Sequence, residues 1–422
     1  MRSASINRRK FQPRYQIHEY PGRKPWYVIR KYIDSYSRRG ETILDPFCGS
    51  GVVPCEALIA RRKAVATDIN PLAVLLSKVT CISPLNLKAA ERAFRKVERA
   101  AKDSIHDLYK SGEKCAVCGG ELIASSAARM PDERKVKVRA YCSKCSKFCD
   151  LTLDMQDREK SEDSAIPYWH PGESELPDGI RGNIRYLREL YTDRNLKALS
   201  ILWHNINLIR DETNREILKL CFSATLSKAS KMNVPKITGK GWTSADYNVY
   251  NVPDNYIEFN VWDGYSNKFF LCLEAKTQTN HLIGDFYDSR RTVKILRASA
   301  ENLTFIPDRS IDYVLTDPPY ADLVRYYERN FVRNAWLGFE SDHSSEEYPV
   351  MIRSALMEVH RVLKPGRRLS VLLKETSRQF RDEFVALAED AGLMHKITDL
   401  EYLGYSNTQQ EPTDHALNFV NL

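Results

Sequence analysis

Apolar residues fall along this chain in two rhythms. Short blocks bounded by turn residues are of strand length and too short for helices: Thr42-Ile43-Leu44, Ala64-Val65-Ala66, Val293-Lys294-Ile295-Leu296, Ile311 to Thr316 and Leu369 to Leu373. Between them apolar positions recur three or four residues apart, as in Trp26, Ile29 and Ile33, in Leu72, Leu75, Leu76 and Val79, and over Met351 to Leu363 and Phe380 to Ala391. That spacing predicts helices with one buried face, and a further helix is expected over Val53 to Arg61. Pro71 stands where a helix opens and a missing N–H costs no bond. Strand–helix alternation of this kind predicts a parallel, doubly wound, Rossmann-like α/β sheet.

The alternation breaks off near residue 84 and resumes near residue 291. In between lie a charged amphipathic helix over Leu87 to Leu108, a cysteine-bearing stretch over Cys115 to Asp150, and a polar linker over Gln156 to Gly182. Helical spacing covers Asn183 to Ser227, whereas Met232 to Gly284 is rich in Asn, Gly and aromatics without a helical period. After the later strands, Lys364-Pro365-Gly366 reads as a turn and a terminal strand pair closes the chain. One sheet domain, residues 1–84 and 291–422, is thus expected to be interrupted by an insertion, residues 85–290.

Composition narrows the classes. An apolar fraction of 43% is too high for a wholly disordered chain, and no stretch approaches the roughly 20 apolar residues of a membrane helix. Met1 to Arg14 is basic without an apolar stretch and is not expected to act as a secretory signal. A net charge of +8 permits a polyanionic partner. Four of the ten cysteines, Cys115, Cys118, Cys142 and Cys145, form two C-x2-C pairs, with Cys149 close behind. Without an export signal they read as a closed, structural four-thiolate zinc site within about residues 112–150, and the expected compartment is the cytoplasm.

Two loops carry candidate chemistry. Asp45-Pro46-Phe47-Cys48-Gly49-Ser50-Gly51 leaves a strand and enters a helix, which places it at the sheet's carboxyl edge. Gly49 and Gly51 permit a tight turn and the close approach of a ligand. Pro54 stands where the third glycine of G-x-G-x-x-G would be, and Asp68 ends the next strand, placed to hold ribose hydroxyls. A nucleoside cofactor without a pyrophosphate cradle follows. In Asp317-Pro318-Pro319-Tyr320, Pro318 has no N–H, which leaves a carboxylate, a carbonyl and a ring facing the cleft. That set accepts two hydrogen bonds from a planar amine and stacks on its heterocycle.

Together these segments resemble the S-adenosylmethionine-dependent amino-group DNA methyltransferases, and most closely the adenine-specific methylases that bear a zinc ribbon. His18-Glu19-Tyr20-Pro21-Gly22-Arg23-Lys24-Pro25 resembles the stretch that closes over the methionine end of the cofactor, and Asp68-Ile69-Asn70-Pro71 resembles the second strand and turn. The resemblance spans residues 15–80 and 293–375 and implies a methyltransferase sheet. It implies that Asp45, Phe47, Gly49, Gly51, Asp68 and Ser299 bind S-adenosylmethionine, with Ser299 standing where the family often has an acid. Asp317 and the Pro318 carbonyl would bind the amine, and Tyr320 would stack on a base flipped out of double-stranded DNA. The product would be N6-methyladenine by direct transfer, the insertion would carry target recognition, and a restriction endonuclease would be a further partner.

Other readings stay open. The same motifs occur in cytosine-N4 enzymes and in RNA guanine-N2 methyltransferases, and a zinc-ribbon nucleic-acid-binding protein with an inactive core is the non-enzymatic alternative. Cys55 reads as core rather than as a nucleophile. Arg8-Arg9-Lys10, the run Arg134 to Arg139 with Lys144 and Lys147, and Lys228, Lys231, Lys236 and Lys240 are candidate phosphate contacts. The aromatics from Trp242 to Tyr265 are candidate base contacts, though core is the stronger expectation. His18 and His170 are assigned no chemistry.

Overall fold

The structure, a computed structural model, describes residues 12–130, 135–154, 165–235, 242–244, 250–284, 292–319, 326–339, 348–374, 378–396 and 414–421. The chain divides into two compact units, Met1–Leu85 with Glu274–Tyr327 and Ser341–Leu422, and Asn86–Leu273 with Glu328–Glu340.

The first unit is built on a seven-stranded sheet. Its strands are β1 (Thr42–Asp45), β2 (Lys63–Asp68), β3 (Val293–Arg297), β4 (Ile311–Thr316), β5 (Leu363–Lys374), β6 (Leu393–Lys396) and β7 (Asp414–Asn421). Their order is β3-β2-β1-β4-β5-β7-β6, parallel through β5, with β7 antiparallel to both its neighbours. Alternate residues face opposite sides. Ile43, Tyr313 and Leu315 join α1 (Trp26–Tyr36) and α2 (Val52–Ile59) in one apolar cluster. Leu44, Val314, Leu369 and Val371 join the helices on the other face, α4 (Tyr348–Val362) and α5 (Arg378–Asp390). A third helix on the way, α3 (Pro71–Cys81), is capped by Asn70, whose side chain accepts from Leu72 N.

The second unit pairs Lys110–Lys114, Glu121–Arg129, Lys135–Cys142 and Phe148–Asp154 as an antiparallel ribbon, with Tyr256–Phe259 added against Glu121–Arg129. Helices Leu87–Leu108, Asp193–Asn207 and Glu212–Ala229 form as their periodicity predicts. Their packing includes an aromatic stack in which the Phe94 and Phe269 ring centres are 4.1 Å apart. Trp262, Tyr265 and Tyr250 are buried in this unit and are core, not base contacts. Tyr247, Lys236, Lys240, Arg134 and Arg8-Arg9-Lys10 lie outside the described residues.

Three expectations need correction. The stretch ending at Gly284 contains a long helix, Val261–Ile283. Its buried positions Trp262, Tyr265, Phe269, Cys272, Lys276, Thr279 and Ile283 do recur at helical spacing, but Lys and Thr among them hide the stripe. Lys364-Pro365-Gly366 is not a turn between elements but an irregularity inside β5, where Ile311 pairs Leu363 and Tyr313 pairs Arg368. The boundary of the insertion also shifts. From Glu274 onward that helix belongs to the first unit, because Lys276 Nζ donates to the Val79 and Thr80 carbonyls at 2.8 and 3.0 Å, and Asn280 bonds the Leu85 backbone in both directions. Conversely, Glu328–Glu340 belongs to the second unit, where Arg333 donates to Ser227 Oγ at 2.8 Å.

Lys276 is fully buried and caps the last turn of α3. Lys276→Met keeps the bulk but strands those carbonyls, so it should lower the unfolding free energy by on the order of 2 kcal/mol or more in a urea titration. An unchanged midpoint and slope would mean that the cap contributes nothing.

Candidate active site and metal centre

The glycine loop is shaped by its neighbours. Gly49 and Gly51 have φ of +46° and +76°, in the left-handed region that penalises any side chain. A Cβ on Gly51 would lie 2.8 Å from Ser77 Cα, and one on Gly49 would lie 2.9 Å from the Tyr20 ring. The space that the motif reserves is therefore filled by the protein itself. Ser77 Oγ donates to the Gly49 carbonyl at 3.0 Å, and Cys48 N donates to the Thr67 carbonyl at 2.9 Å. Arg23 donates to Ser50 Oγ at 3.1 Å, to the His18 carbonyl at 2.8 Å and to the Tyr15 carbonyl, which pins the segment before α1 onto the loop.

Asp68 and Asp45 stand beside this loop. Asp68 Oδ2 accepts from Gly49 N and Oδ1 from Asn70 N, each at 2.9 Å. A carboxylate takes about four hydrogen bonds, so acceptor capacity remains for a ligand's hydroxyls. Burial pushes the Asp68 carboxyl up to about 6, although both N–H groups oppose it. Asp45 Oδ1 accepts from the Thr316 hydroxyl at 2.7 Å and from Phe47 N at 3.2 Å. Burial pushes it up to about 7, with the charges of Asp317 and Asp68 acting in the same direction.

Because β1, β2 and β4 run parallel as neighbours, Asp45, Asp68 and Asp317 all emerge at one carboxyl edge. Asp317 is half-buried, and Lys24 Nζ lies 3.4 Å from its Oδ1. Pro318 is buried, and Tyr320 lies outside the described residues. Phe47 packs against the apolar cluster that contains Leu44 and Val314. Beyond the end of β3, Ser299 Oγ donates to the Glu301 carboxylate at 2.8 Å and accepts from Glu301 N at 3.2 Å, so an acid stands two residues from the serine. Thr316, Lys24, Arg23 and Ser77 had no assigned role. Lys24 and Arg23 fall inside the segment His18 to Pro25, but Asp317 and Ser50, which they reach, lie outside it.

The four paired cysteines converge, with all four sulfurs within 4.8 Å of one another. Cys115–Cys145 and Cys118–Cys142 sulfur separations are 3.8 and 3.4 Å. Metal–sulfur bonds of roughly 2.3 Å arranged tetrahedrally put sulfurs about 3.8 Å apart, so the set fits one ion. The two knuckles repeat each other: Cys115 N bonds the Gly120 carbonyl as Cys142 N bonds that of Lys147, and Gly119 and Ser146 both have positive φ. A Cβ on Gly120 would lie 2.7 Å from Cys142 Sγ. The N–H groups of Cys145 and Lys144 face Cys142 Sγ and lower its thiol to about 6. Cys149 is outside this group. In the adjoining basic run, Arg139 lies across the ribbon from Asp150, at 3.9 Å.

A doubly wound sheet with a glycine loop, a strand-end acid and Asp-Pro-Pro on one edge has the layout of a nucleoside-binding sheet. Residues 3–78 match the family described as DNA methylase, of the N6/N4 methyltransferase type. The Type II methyltransferase M.MjaII of Methanocaldococcus jannaschii is 19% identical over 425 residues, covering 90% of this chain and 74% of the relative. These two matches support a methyltransferase of the N6-adenine/N4-cytosine DNA methylase family. Among solved structures, a TehB-like SAM-dependent methyltransferase from Corynebacterium glutamicum aligns with 93% of this chain and 87% of its own at 9% identity and a TM-score of 0.32. TrmN from Thermus thermophilus aligns with 94% and 48% at 10% identity and a TM-score of 0.30. No helix among the described residues is long and apolar enough to cross a membrane.

The raised Asp45 carboxyl has a consequence for stability. Its folded value, about 7 against an ordinary 3.8, means that the folded chain keeps a proton which the unfolded chain releases. Stability present below about pH 4 is therefore lost as the pH rises towards 7. Asp45→Asn keeps an acceptor for Thr316 and Phe47 but cannot ionise. The variant's unfolding free energy relative to wild type should grow from pH 4 to 7 and then level off; a flat difference would show that Asp45 does not titrate with folding.

Proposed function

We propose that this protein transfers a methyl group from S-adenosylmethionine to the N6 amine of adenine in double-stranded DNA. The reading is carried by the convergence of Asp45, Asp68 and Asp317 on one sheet edge, linked directly by the Thr316–Asp45 hydrogen bond. When bound, S-adenosylmethionine supplies an electrophilic methyl on a cationic sulfur. Asp68 holds the ribose hydroxyls through its unused lone pairs, and Asp45, Phe47, Gly49 and Gly51 line the remainder of the pocket. Ser299 and Glu301 form its adenine side. The DNA methylase family description supports a methyltransferase reading of this chain.

At the reacting nitrogen, Asp317 and the Pro318 carbonyl accept the two amine protons, which localises the lone pair on nitrogen. With S-adenosylmethionine bound, that pair would be aimed at the sulfonium methyl, the thioether would be the leaving group, and the surplus amine proton would pass to water. Lys24 places a positive charge 3.4 Å from the Asp317 carboxylate and orients it towards the amine. Tyr320 stacks on the flipped base, because an exocyclic amine inside a duplex cannot reach the cofactor. The aspartate before Pro-Pro-Tyr favours adenine over cytosine. Cys115, Cys118, Cys142 and Cys145 hold one zinc ion with no open position, so its role is to fold the ribbon.

Incubation with labelled S-adenosylmethionine and DNA, followed by digestion to nucleosides and mass spectrometry, should yield N6-methyl-2′-deoxyadenosine. N4-methyl-2′-deoxycytidine would reassign the base, and no modified nucleoside would overturn the proposal. Asp317→Ala should cut the single-turnover rate on the order of a hundredfold while cofactor affinity stays within a few-fold. By contrast, Asp68→Ala should weaken cofactor binding by about 1–3 kcal/mol in calorimetry. Elemental analysis should find about one zinc per chain. Cys118→Ser should lower both the metal content and the melting temperature, whereas a stable, metal-free protein would remove the ribbon.

A further inference from the structure

Tyr348 is a residue that none of the motifs includes. It opens α4, the helix that connects β4 to its parallel neighbour β5, and such a crossover helix starts at the carboxyl edge from which Asp317 emerges. Its ring packs against Phe380 of α5, with centres 5.9 Å apart and planes tilted by 34°, and rests on the same apolar cluster as Phe47. Its hydroxyl oxygen is buried and has no hydrogen-bond partner among the described residues. A buried hydroxyl left unpaired is costly, and such groups in folded proteins call for a specific explanation. Burial, and then the charge of Asp317, push the phenol well above its ordinary range, so it remains an O–H donor across the working pH range.

Among the described residues, the groups placed at Asp317 so far supply no such donor for the base. A base whose amine is held by a carboxylate and a carbonyl presents a ring nitrogen on the same edge, and that nitrogen only accepts. Asp317 and the Pro318 carbonyl cannot donate to it, and the Lys24 ammonium is already engaged with Asp317. We propose that Tyr348 is a specificity-determining residue whose hydroxyl donates to the ring nitrogen beside the target amine, N1 of adenine or N3 of cytosine. This rests on the amino-methyltransferase reading given above. The contact fixes the base plane so that the amine, and no other edge, addresses Asp317. It also disfavours guanine, whose Watson–Crick nitrogen beside the amine carries its own proton, so that donor would meet donor.

Tyr348→Phe in the full chain keeps the ring and its contact with Phe380. Removal of an unpaired hydroxyl should leave the melting temperature unchanged or raised, and cofactor affinity unchanged. On DNA containing adenine, kcat/KM should fall about tenfold or more, the usual scale for one lost hydrogen bond to substrate. The decisive comparison uses an oligonucleotide with 1-deazaadenine at the target, or 3-deazacytosine if cytosine is the base. Wild type should lose the same factor on the deaza substrate, and Tyr348→Phe should lose nothing further. Wild-type activity in Tyr348→Phe, or a full additional loss on the deaza substrate, would overturn the assignment, since the hydroxyl and the ring nitrogen would then act independently. If wild type methylates neither base, the underlying activity fails and the assignment falls with it. Methylation that is insensitive to Tyr348→Phe removes the assignment alone.

Discussion

The hydrogen bond from the Thr316 hydroxyl to Asp45 joins residues 271 positions apart in sequence, and the rest of the site depends on the pairing that allows it. That pairing is the parallel register of β1 on β4, in which Ile43 faces Tyr313 and Leu44 faces Val314. Parallel strands end at the same edge, so the loop after Asp45 and the loop after Thr316 must leave together. Both strands are buried on both faces, so a slip of one residue would move Leu44 and Val314 out of one apolar cluster and Ile43 and Tyr313 out of the other. Packing across the whole sheet thus fixes the position of the edge that carries Asp45, Asp68 and Asp317.

The same argument explains what the sequence discloses. Fully buried parallel strands read as short continuous apolar runs, and amphipathic crossover helices read at three- and four-residue spacing, so the alternation of the first unit is legible apart from Lys364-Pro365-Gly366 and the helix end from Glu274 onward. The helix Val261–Ile283 is not, because its buried stripe contains Lys276 and Thr279. Lys276 is tolerated inside only because the carbonyls of Val79 and Thr80 lie opposite its ammonium, and no local pattern announces two remote carbonyls. Likewise, nothing within Glu328–Glu340 signals that it folds with the second unit, where Trp336 is fully buried.

Within the site, legibility follows how local the geometry is. Two C-x2-C pairs encode their own knuckles, since three residues and a positive-φ turn after each pair bring the sulfurs together. The glycine loop is legible as a turn, but its reason is not: Gly49 and Gly51 yield to Tyr20 and Ser77. Thr316 and Lys24 stay silent because each acts on a partner hundreds of residues away. Charge along one strand likewise says nothing of the acid on the strand beside it, as Arg139 and Asp150 illustrate.

The electrostatics of this edge bear on which cofactor it suits. Doubly wound sheets commonly receive an anionic pyrophosphate at a helix N-terminus, where unpaired N–H groups and the helix dipole favour negative charge. Here Gly49 N is committed to Asp68, and Asp45, Asp68 and Asp317 emerge at the same edge. Two of them are pushed towards neutrality, to about 7 and about 6, chiefly by burial, and of the three only Asp317 has a cation beside it, Lys24, in an ion pair among the described residues. Adding an anion would raise those values further and cost binding energy, whereas a cationic ligand would lower them and gain it. A nucleoside that carries its positive charge on sulfur meets that requirement and a dinucleotide does not. The proline at position 54, which removes the third glycine, and the acidic edge therefore point to the same kind of cofactor for independent physical reasons, one steric and one electrostatic.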